Sequence, residues 1–320
     1  MDVVYIAGSG RSGSTLVDTV LGQAPGWFSG GELRYVWERG LLENRLCGCG
    51  RRFLDCPTWQ AILAEAFGSL DRIDAREMVD LQRRGTRGRD IPRMIRARAE
   101  GPGSQPPADP YLRNLGRLYR AIASVTGSRV IVDSSKLPGY ARRLQAVPGL
   151  RVRVLHLVRD PRAAAYSWSR KKAQPDRVTP GFMNRKGAMK SAVLWNAWNA
   201  TAEALWRDSP DSYLRVRYED LVAAPRAVLD GVVRWAGGAD TAIPFLSERT
   251  VQLGPNHTVS GNPDRLRTGD VEIRNDQQWL SSMRPRDRAL VTALTLPLLV
   301  RYGFPLVPVR GEAEPAAPGT

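Results

Sequence analysis

The chain has 320 residues, of which 42% are hydrophobic and 25% are charged, a composition typical of a globular protein with a sizeable core. Its net charge of +15 favours polyanionic partners or a ligand with several phosphates, although basic residues scattered along the chain are equally well explained as an arginine-rich surface. No apolar run reaches the roughly 18 residues of a membrane span, and no secretory signal pattern is visible at the start. We therefore expect a cytoplasmic protein.

The first predicted elements are a buried strand over residues 3–7, a glycine-rich turn over 8–15, and a helix that begins near Leu16. A strand, turn and helix in this order hold phosphate, because backbone N–H groups point inward and the helix N-terminus carries partial positive charge. The spacing nearly fits the P-loop, but Ser14 occupies the lysine position and the cation of the turn is Arg11. A plain tight turn is one alternative. A dinucleotide-binding turn, with Glu32 as the ribose-binding acid, is another.

The three cysteines, Cys47, Cys49 and Cys56, come next. An odd count in a chain expected to be cytoplasmic argues against a disulfide framework. Their spacing is typical of metal ligands, but a zinc site needs four, and the two histidines are His156, inside an apolar strand, and His257, far along the chain. We predict structural thiols and no metal, with a metal site or a labile disulfide as the alternatives.

The middle and end of the chain alternate helices with short apolar strands. Such alternation predicts a parallel sheet, in which ligands bind at the carboxyl ends of the strands. Three polar segments, 8–15, 134–136 and 159–167, should therefore meet at one edge and form a single active site. The predicted helices cover 57–100, 111–125, 140–146, 192–208 and 287–303, the further strands cover 129–133, 153–158 and 213–216, and the stretch 255–276 is predicted to be polar and irregular.

Arg159 follows the end of a strand, and Ser167 lies two turns into the next helix. An arginine fork and a hydroxyl so placed can converge on one anion. The structural alternative is an ion pair of Arg159 with Asp160 or Glu219. Together with the first turn, the segment Leu157-Val158-Arg159-Asp160-Pro161-Arg162-Ala163-x-x-x-Ser167 resembles the sulfotransferases that use 3′-phosphoadenosine 5′-phosphosulfate. In this resemblance the turn is similar to the 5′-phosphosulfate loop and the later segment to the 3′-phosphate motif.

The resemblance covers about residues 1–45, 128–172 and 212–310, and is nearest to tyrosylprotein sulfotransferases and their bacterial relatives. In that branch, segments similar to Gly31-Glu32-Leu33-Arg34 and Ser134-Ser135-Lys136-Leu137-Pro138 supply the base and a lysine for the transferring group. The resemblance thus implies Glu32, Lys136 and Arg11 as catalytic residues. The donor contacts that it implies are Arg11, Ser12, Gly13, Ser14 and Thr15 in the first loop, Arg159 and Ser167 at the 3′-phosphate, Tyr218 on adenine (or an ordinary core tyrosine), and Ser260 and Arg267 in the late segment.

We therefore expect a P-loop-like three-layer α/β/α sandwich with a central parallel sheet. It would form a single domain over 1–310 with a helical insertion at about 41–127 and a disordered tail at 311–320. The expected reaction is in-line sulfuryl transfer from 3′-phosphoadenosine 5′-phosphosulfate, a co-substrate, without a metal because no triphosphate is split. The acceptor would be a hydroxyl or amine of a small molecule, carbohydrate, lipid or peptide.

Three other functions compete with this one. A P-loop-type nucleotide kinase is the main alternative, although Ser14 in place of lysine counts against it. A nicotinamide enzyme leaves Arg159 and Ser167 unexplained. A nucleic-acid-binding protein would suit the net charge, but the sequence contains no recognisable module of that kind, and we expect no nucleic-acid partner.

Overall fold

Five parallel strands form the central sheet in a computed structural model, which describes residues 1–86, 88–99, 109–179, 181–238 and 241–307. Their order across the sheet is β2-β3-β1-β4-β5. The chain passes to one side of β1 for β2 and β3 and to the other side for β4 and β5, so β1 is the switch point at which such sheets bind ligands. The strands are β1 (Asp2–Ala7), β2 (Trp27–Ser29), β3 (Val130–Lys136), β4 (Arg151–Val158) and β5 (Tyr213–Arg217).

Helices cover both faces of this sheet because its strands alternate apolar side chains between two cores. On β1, Val3 and Tyr5 belong to one buried cluster and Val4 and Ile6 to the other. The helices are α1 (Ser14–Leu21), α2 (Pro57–Phe67), α3 (Ala75–Gly85), α4 (Ile91–Ala99), α5 (Pro110–Thr126), α6 (Pro138–Gln145), α7 (Pro161–Ser169), α8 (Ala188–Trp206), α9 (Tyr218–Ala223), α10 (Pro225–Trp235), α11 (Trp279–Ser282) and α12 (Pro285–Arg301). The cluster with Val3 contains α2 and α5, whereas the other contains α1 and α10.

The expected α/β sandwich with a parallel central sheet is confirmed. The helices α2–α5 fall within the segment 41–127 that we predicted to be an insertion, and the limits of the domain stay a prediction. The tail at 311–320 and most of the predicted loop 101–110 lie outside the described residues.

Two predictions about secondary structure are wrong. The sheet has a strand, β2, that the sequence analysis missed, because three residues are too short to show a periodicity of two. The stretch 255–276 is not irregular throughout, since residues 269–272 form β7 (Gly269–Glu272), which pairs with β6 (Thr250–Leu253) in an antiparallel hairpin. Because Val271 is the single buried residue of β7, the polar strand shows no continuous apolar run.

Among the described residues, we find no helix with the length and hydrophobicity that crossing a membrane requires.

Candidate active site

A cleft of about 1190 Å³ opens at the carboxyl ends of the strands. Its walls come from the loop after β1, the turn after β2, the end of β3, Arg159 directly after β4 and Tyr218 directly after β5. Thirteen of the described residues that line it are Lys or Arg and five are Asp or Glu. This excess of positive charge concentrates anions in the cleft.

The loop after β1 packs closely against neighbouring side chains. Gly13 has φ +91° and directly precedes α1, and a Cβ atom at this position would lie 2.5 Å from the ring of Tyr218. Only glycine satisfies both the backbone angle and the close approach. Arg11 also has a positive φ, +71°, and its guanidinium lies 4.8 Å from the centre of the Trp168 ring in the cleft wall. A non-glycine residue in this strained region is unusual and occurs most often at functional sites.

Glu32 and Lys136 form an ion pair in the cleft. Lys136 Nζ lies 2.5 Å from Glu32 Oε1 and also donates a hydrogen bond of 2.9 Å to the carbonyl of Ser134. Both side chains are about nine-tenths buried. Burial alone would raise the pKa of Glu32, but the charges of Lys136, Arg39 and Arg34 outweigh it and lower this pKa to about 2. Glu32 is therefore a carboxylate throughout the neutral range, able to accept a proton.

A buried carboxyl group fixes the position of this pair. Asp133 accepts hydrogen bonds from the backbone N–H groups of Leu33, at 3.3 Å, and Ser135, at 2.9 Å, and from Tyr119 Oη at 2.5 Å. Ser135 Oγ in turn accepts the backbone N–H of Arg34 at 3.0 Å. The turn with Glu32 is thus tied to the strand end with Lys136, although they are about a hundred positions apart in sequence.

Arg159 does not form the ion pair that was its structural alternative. Asp160 pairs with Arg162 at 2.6 Å, and Glu219 accepts the backbone N–H of Asp160. The Arg159 guanidinium lies 4.5 Å from the centre of the Tyr218 ring, and its nearest carboxylate, Asp276, is 3.7 Å away. It is 7% exposed and lines the cleft.

The structure brings most of the other predicted donor contacts to the same cleft. Ser14, Thr15, Ser167 and Arg267 line it. Tyr218 also lines it, between Gly13 and Arg159, and it belongs at the same time to the buried apolar cluster on one face of the sheet, so its position fits both an adenine contact and a core tyrosine.

Ser12 and Ser260 are the two predicted contacts whose side chains do not line the cleft. Both are at most 1% exposed. Ser260 Oγ accepts a hydrogen bond of 2.6 Å from Arg39, so it positions a residue of the cleft wall.

Lys186 is a cleft residue that the sequence analysis missed. Its ammonium group lies 3.2 Å from the centre of the Trp168 ring. Burial, together with the charges of Arg11 and Lys190, lowers its pKa to about 8. The segment between α7 and α8 that contains Lys186 has no recognisable spacing pattern, so its composition alone could not indicate this position. Arg39 was missed in the same way, whereas Arg34 stands in the segment Gly31-Glu32-Leu33-Arg34 but was not predicted to be a cleft cation.

Comparisons with known proteins give a matching family model and solved structures with a similar fold. The model of the sulfotransferase family matches residues 3–241. The chain is similar to the sulfotransferase domain from the Synechococcus PCC 7002 olefin synthase, with 19% identity over 96% of each chain and a TM-score of 0.55. It is also similar to the sulfotransferase domain from the curacin biosynthetic pathway, with 18% identity over 96% of this chain and 99% of that one and a TM-score of 0.54. At these identities the likeness shows a common fold. No curated protein gives a significant match.

Proposed function

The chain belongs to the sulfotransferase family, and from this premise we propose that it transfers a sulfuryl group from 3′-phosphoadenosine 5′-phosphosulfate to a hydroxyl or amine of an acceptor. Family membership confirms the resemblance inferred from the two loops, whereas the nearer resemblance to tyrosylprotein sulfotransferases stays a prediction. The nucleotide kinase and the nicotinamide enzyme have no support from the family match.

The chemistry of the cleft suits a donor with charge at both ends. Among the described residues, Arg11 and Arg159 both line the cleft, and the Nε atom of each is a buried donor without a hydrogen-bond partner. Buried donors are rarely left unpaired, so these groups support a bound anion near each of them. In the proposed arrangement the loop with Arg11 and the N-terminus of α1 bind the 5′-phosphosulfate, and Arg159 with Ser167 binds the 3′-phosphate.

The single observation that carries the proposal is the Glu32–Lys136 pair within this cationic cleft. In sulfuryl transfer the acceptor atom forms a bond to sulfur while the bond from sulfur to the bridging oxygen breaks. The electron pair leaves with the 5′-phosphate, and the acceptor proton goes to a base. Glu32 is the proposed base, because it is ionised and buried beside the proposed donor site. Lys136 and Arg11 would stabilise the negative charge that grows on the leaving oxygen.

Binding of the donor would also prepare Glu32 for its role. An anion drawn to Lys136 competes with Glu32 for the same ammonium group. Glu32 then loses the strongest of the charges that lower its pKa and becomes a better base. The base therefore gains strength when the donor is present, which couples donor binding to activation of the acceptor.

Calorimetry with nucleotides that differ only in the 3′-phosphate tests the proposal without knowledge of the acceptor. We expect 3′-phosphoadenosine 5′-phosphate to bind much more tightly than adenosine 5′-phosphate. Arg159→Ala should lose about 1.5–3 kcal/mol of this preference, the range for one charge-assisted contact. Arg226→Ala is the matched control, because Arg226 pairs with Glu248 on the exposed surface and its loss removes the same charge. Equal affinity of the wild-type protein for the two nucleotides would contradict the proposed donor.

The acceptor is the remaining part of the proposal. A hydroxyl and an amine would use the same base, so the proposed acceptors include small molecules, carbohydrates, lipids and peptides. The proposed location of the protein is the cytoplasm. Incubation of the protein with donor labelled in its sulfate group and a cytoplasmic extract should yield a labelled product that the Glu32→Gln variant does not form. If both proteins label the same compounds equally, Glu32 is not the base.

A further inference from the structure

The three cysteines lie together with a histidine that is distant in sequence. Cys47, Cys49, Cys56 and His257 each direct one sulfur or nitrogen atom into a common space, and these four atoms lie within 4.8 Å of one another. Cys47 and Cys56 are completely buried, whereas Cys49 and His257 are partly exposed. The prediction of structural thiols without metal assumed that no fourth ligand was near. The position of His257 removes that assumption.

Three of the distances within the cluster are close to those of a tetrahedral zinc site, and none exceeds 4.8 Å. Zinc bonds of about 2.3 Å to sulfur and about 2.0 Å to nitrogen place two sulfurs about 3.8 Å apart, and a sulfur and a nitrogen about 3.5 Å apart, at tetrahedral angles. Cys49 Sγ and Cys56 Sγ are 3.7 Å apart. His257 Nδ1 lies 3.7 Å from Cys47 Sγ and 3.3 Å from Cys56 Sγ.

The backbone around the three cysteines holds them in place. Cys47 and Cys49 lie in a tight hairpin, in which Leu46 and Arg52 pair and the N–H of Gly50 donates to the carbonyl of Cys47 at 2.9 Å. Cys56 directly precedes α2, so the start of that helix fixes its position.

The histidine is oriented by groups outside the cluster. Its second ring nitrogen, Nε2, lies 3.2 Å from Thr58 Oγ1, and its backbone carbonyl accepts a hydrogen bond of 2.8 Å from Trp59 Nε1. A partner on the second ring nitrogen fixes which nitrogen faces a metal and is usual for histidine ligands. In this chain the contact of Nε2 with Thr58 leaves Nδ1 directed at the cysteine sulfurs.

We propose that Cys47, Cys49, Cys56 and His257 bind one structural Zn²⁺. Four protein ligands complete a tetrahedral shell and leave no position for substrate, so the ion would stabilise the fold and take no part in the transfer. The proposal is independent of the proposed donor and reaction.

The ion would join two distant parts of the chain at the active site. The Cys47–Cys49 hairpin donates the N–H of Gly48 to the carbonyl of Thr258, and two residues later the carbonyl of Ser260 accepts the N–H of Glu32 at 3.2 Å. Residues 257–260 thus lie between the cysteine cluster and the turn that contains Glu32. A metal bound to His257 would therefore restrain the segment 257–260, which contacts the turn that contains Glu32.

Metal analysis of the wild-type protein is the main test. We expect one equivalent of zinc per chain in protein purified without added metal, retained through gel filtration. Replacement of the ion by Co²⁺ should produce thiolate-to-cobalt charge-transfer absorption and the visible bands of tetrahedral cobalt. Because the chain has three cysteines in all, such absorption can come from this cluster alone. Protein that contains no zinc and retains none after incubation with Zn²⁺ and dialysis would overturn the proposal, as would a Cys49–Cys56 disulfide in freshly purified, metal-free protein.

Two replacements at one position separate ligation from folding. His257→Ala should release zinc at chelator concentrations at least tenfold lower than the wild type requires. His257→Cys should still bind one equivalent, because a four-cysteine site is also tetrahedral. Thr58→Val removes the partner of Nε2 but no ligand, so a loss of affinity of about 10–100-fold with unchanged stoichiometry is expected. Equal zinc retention by wild-type, His257→Ala and His257→Cys proteins would exclude His257 as a ligand.

Discussion

The low pKa of Glu32 is the property of the site that can be measured most directly. A carboxyl group whose pKa falls from 4.5 to about 2 is stabilised as the carboxylate by about 3 kcal/mol. Lys136 makes the largest contribution that lowers this pKa, against the burial that raises it. In Lys136→Met we therefore expect the pKa of Glu32 to rise from about 2 towards its ordinary value, since only Arg39 and Arg34 then oppose the effect of burial.

Carbon-13 NMR of protein labelled at its glutamate carboxyl groups measures this shift without donor or acceptor. The Glu32 signal is assigned by its absence from Glu32→Gln. At pH 4.5, near the ordinary pKa of a glutamate, we expect Glu32 to be ionised in the wild type and measurably protonated in Lys136→Met. Lys172→Met is the control, because Lys172 lines the same cleft but pairs with Asp264, 2.7 Å away. It should leave the Glu32 signal nearly unchanged.

Two results would refute this reasoning. If Glu32 titrates near pH 4.5 in the wild type, the ion pair does not stabilise the carboxylate. If Lys136→Met and Lys172→Met shift the signal equally, the overall charge of the cleft controls Glu32 and the contact with Lys136 does not.

Four further predictions follow from the same geometry. Glu32→Gln should lose about 10²–10⁴ in kcat while it binds 3′-phosphoadenosine 5′-phosphate normally, and a variant that keeps more than a tenth of the wild-type turnover would place the base elsewhere. Lys136→Ala should lower kcat more than it raises KM for the donor, and a change confined to the acceptor KM would make Lys136 a binding residue. Lys186, with a pKa of about 8, loses its charge as the pH rises, so donor affinity should fall above about pH 8 in the wild type but not in Lys186→Arg; calorimetry at pH 7 and 9 checks this. Burial raises the pKa of Asp18 to about 7, so the folded state binds an extra proton between about pH 4 and 7 and stability falls as the pH rises through this window. Urea denaturation should show a smaller fall for Asp18→Asn, and parallel pH profiles for the two proteins would contradict the raised pKa.

Residues at strand ends could be predicted from the sequence because two local signals combine there. A short apolar run identifies a strand, and the polar residues that follow it must lie at the carboxyl edge of a parallel sheet. Arg11, Lys136 and Arg159 were all found in this way, and the resemblance added their roles. Spacing alone indicated Glu32 only as the ribose-binding acid of the dinucleotide alternative, and its role as the base came from the resemblance, because β2, the strand before it, is too short to recognise.

Contacts between segments far apart in sequence could not be predicted. His257 lies about two hundred positions after Cys56, and no periodicity or spacing joins them. The expectation of no metal followed because the sequence shows only three ligands close together and cannot show the distance from them to His257. Lys186 was missed for a related reason: it reaches the cleft through the packing of its irregular segment against Trp168.

The segment 257–260 explains why Glu32 is held so firmly although it follows the shortest strand of the sheet. Val259 donates its N–H to the carbonyl of Gly30, and Ser260 accepts the N–H of Glu32, so the segment pairs with both sides of Gly31. Gly31 has φ +68°, and a Cβ atom there would lie 2.7 Å from the carbonyl oxygen of Ser260. The turn can therefore approach the segment this closely only because residue 31 is glycine. Asp133 fixes the other side of the same turn through the N–H of Leu33. Glu32 thus lies between the segment 257–260 on one side and the Asp133 carboxylate on the other, and its side chain is left to pair with Lys136 in the cleft.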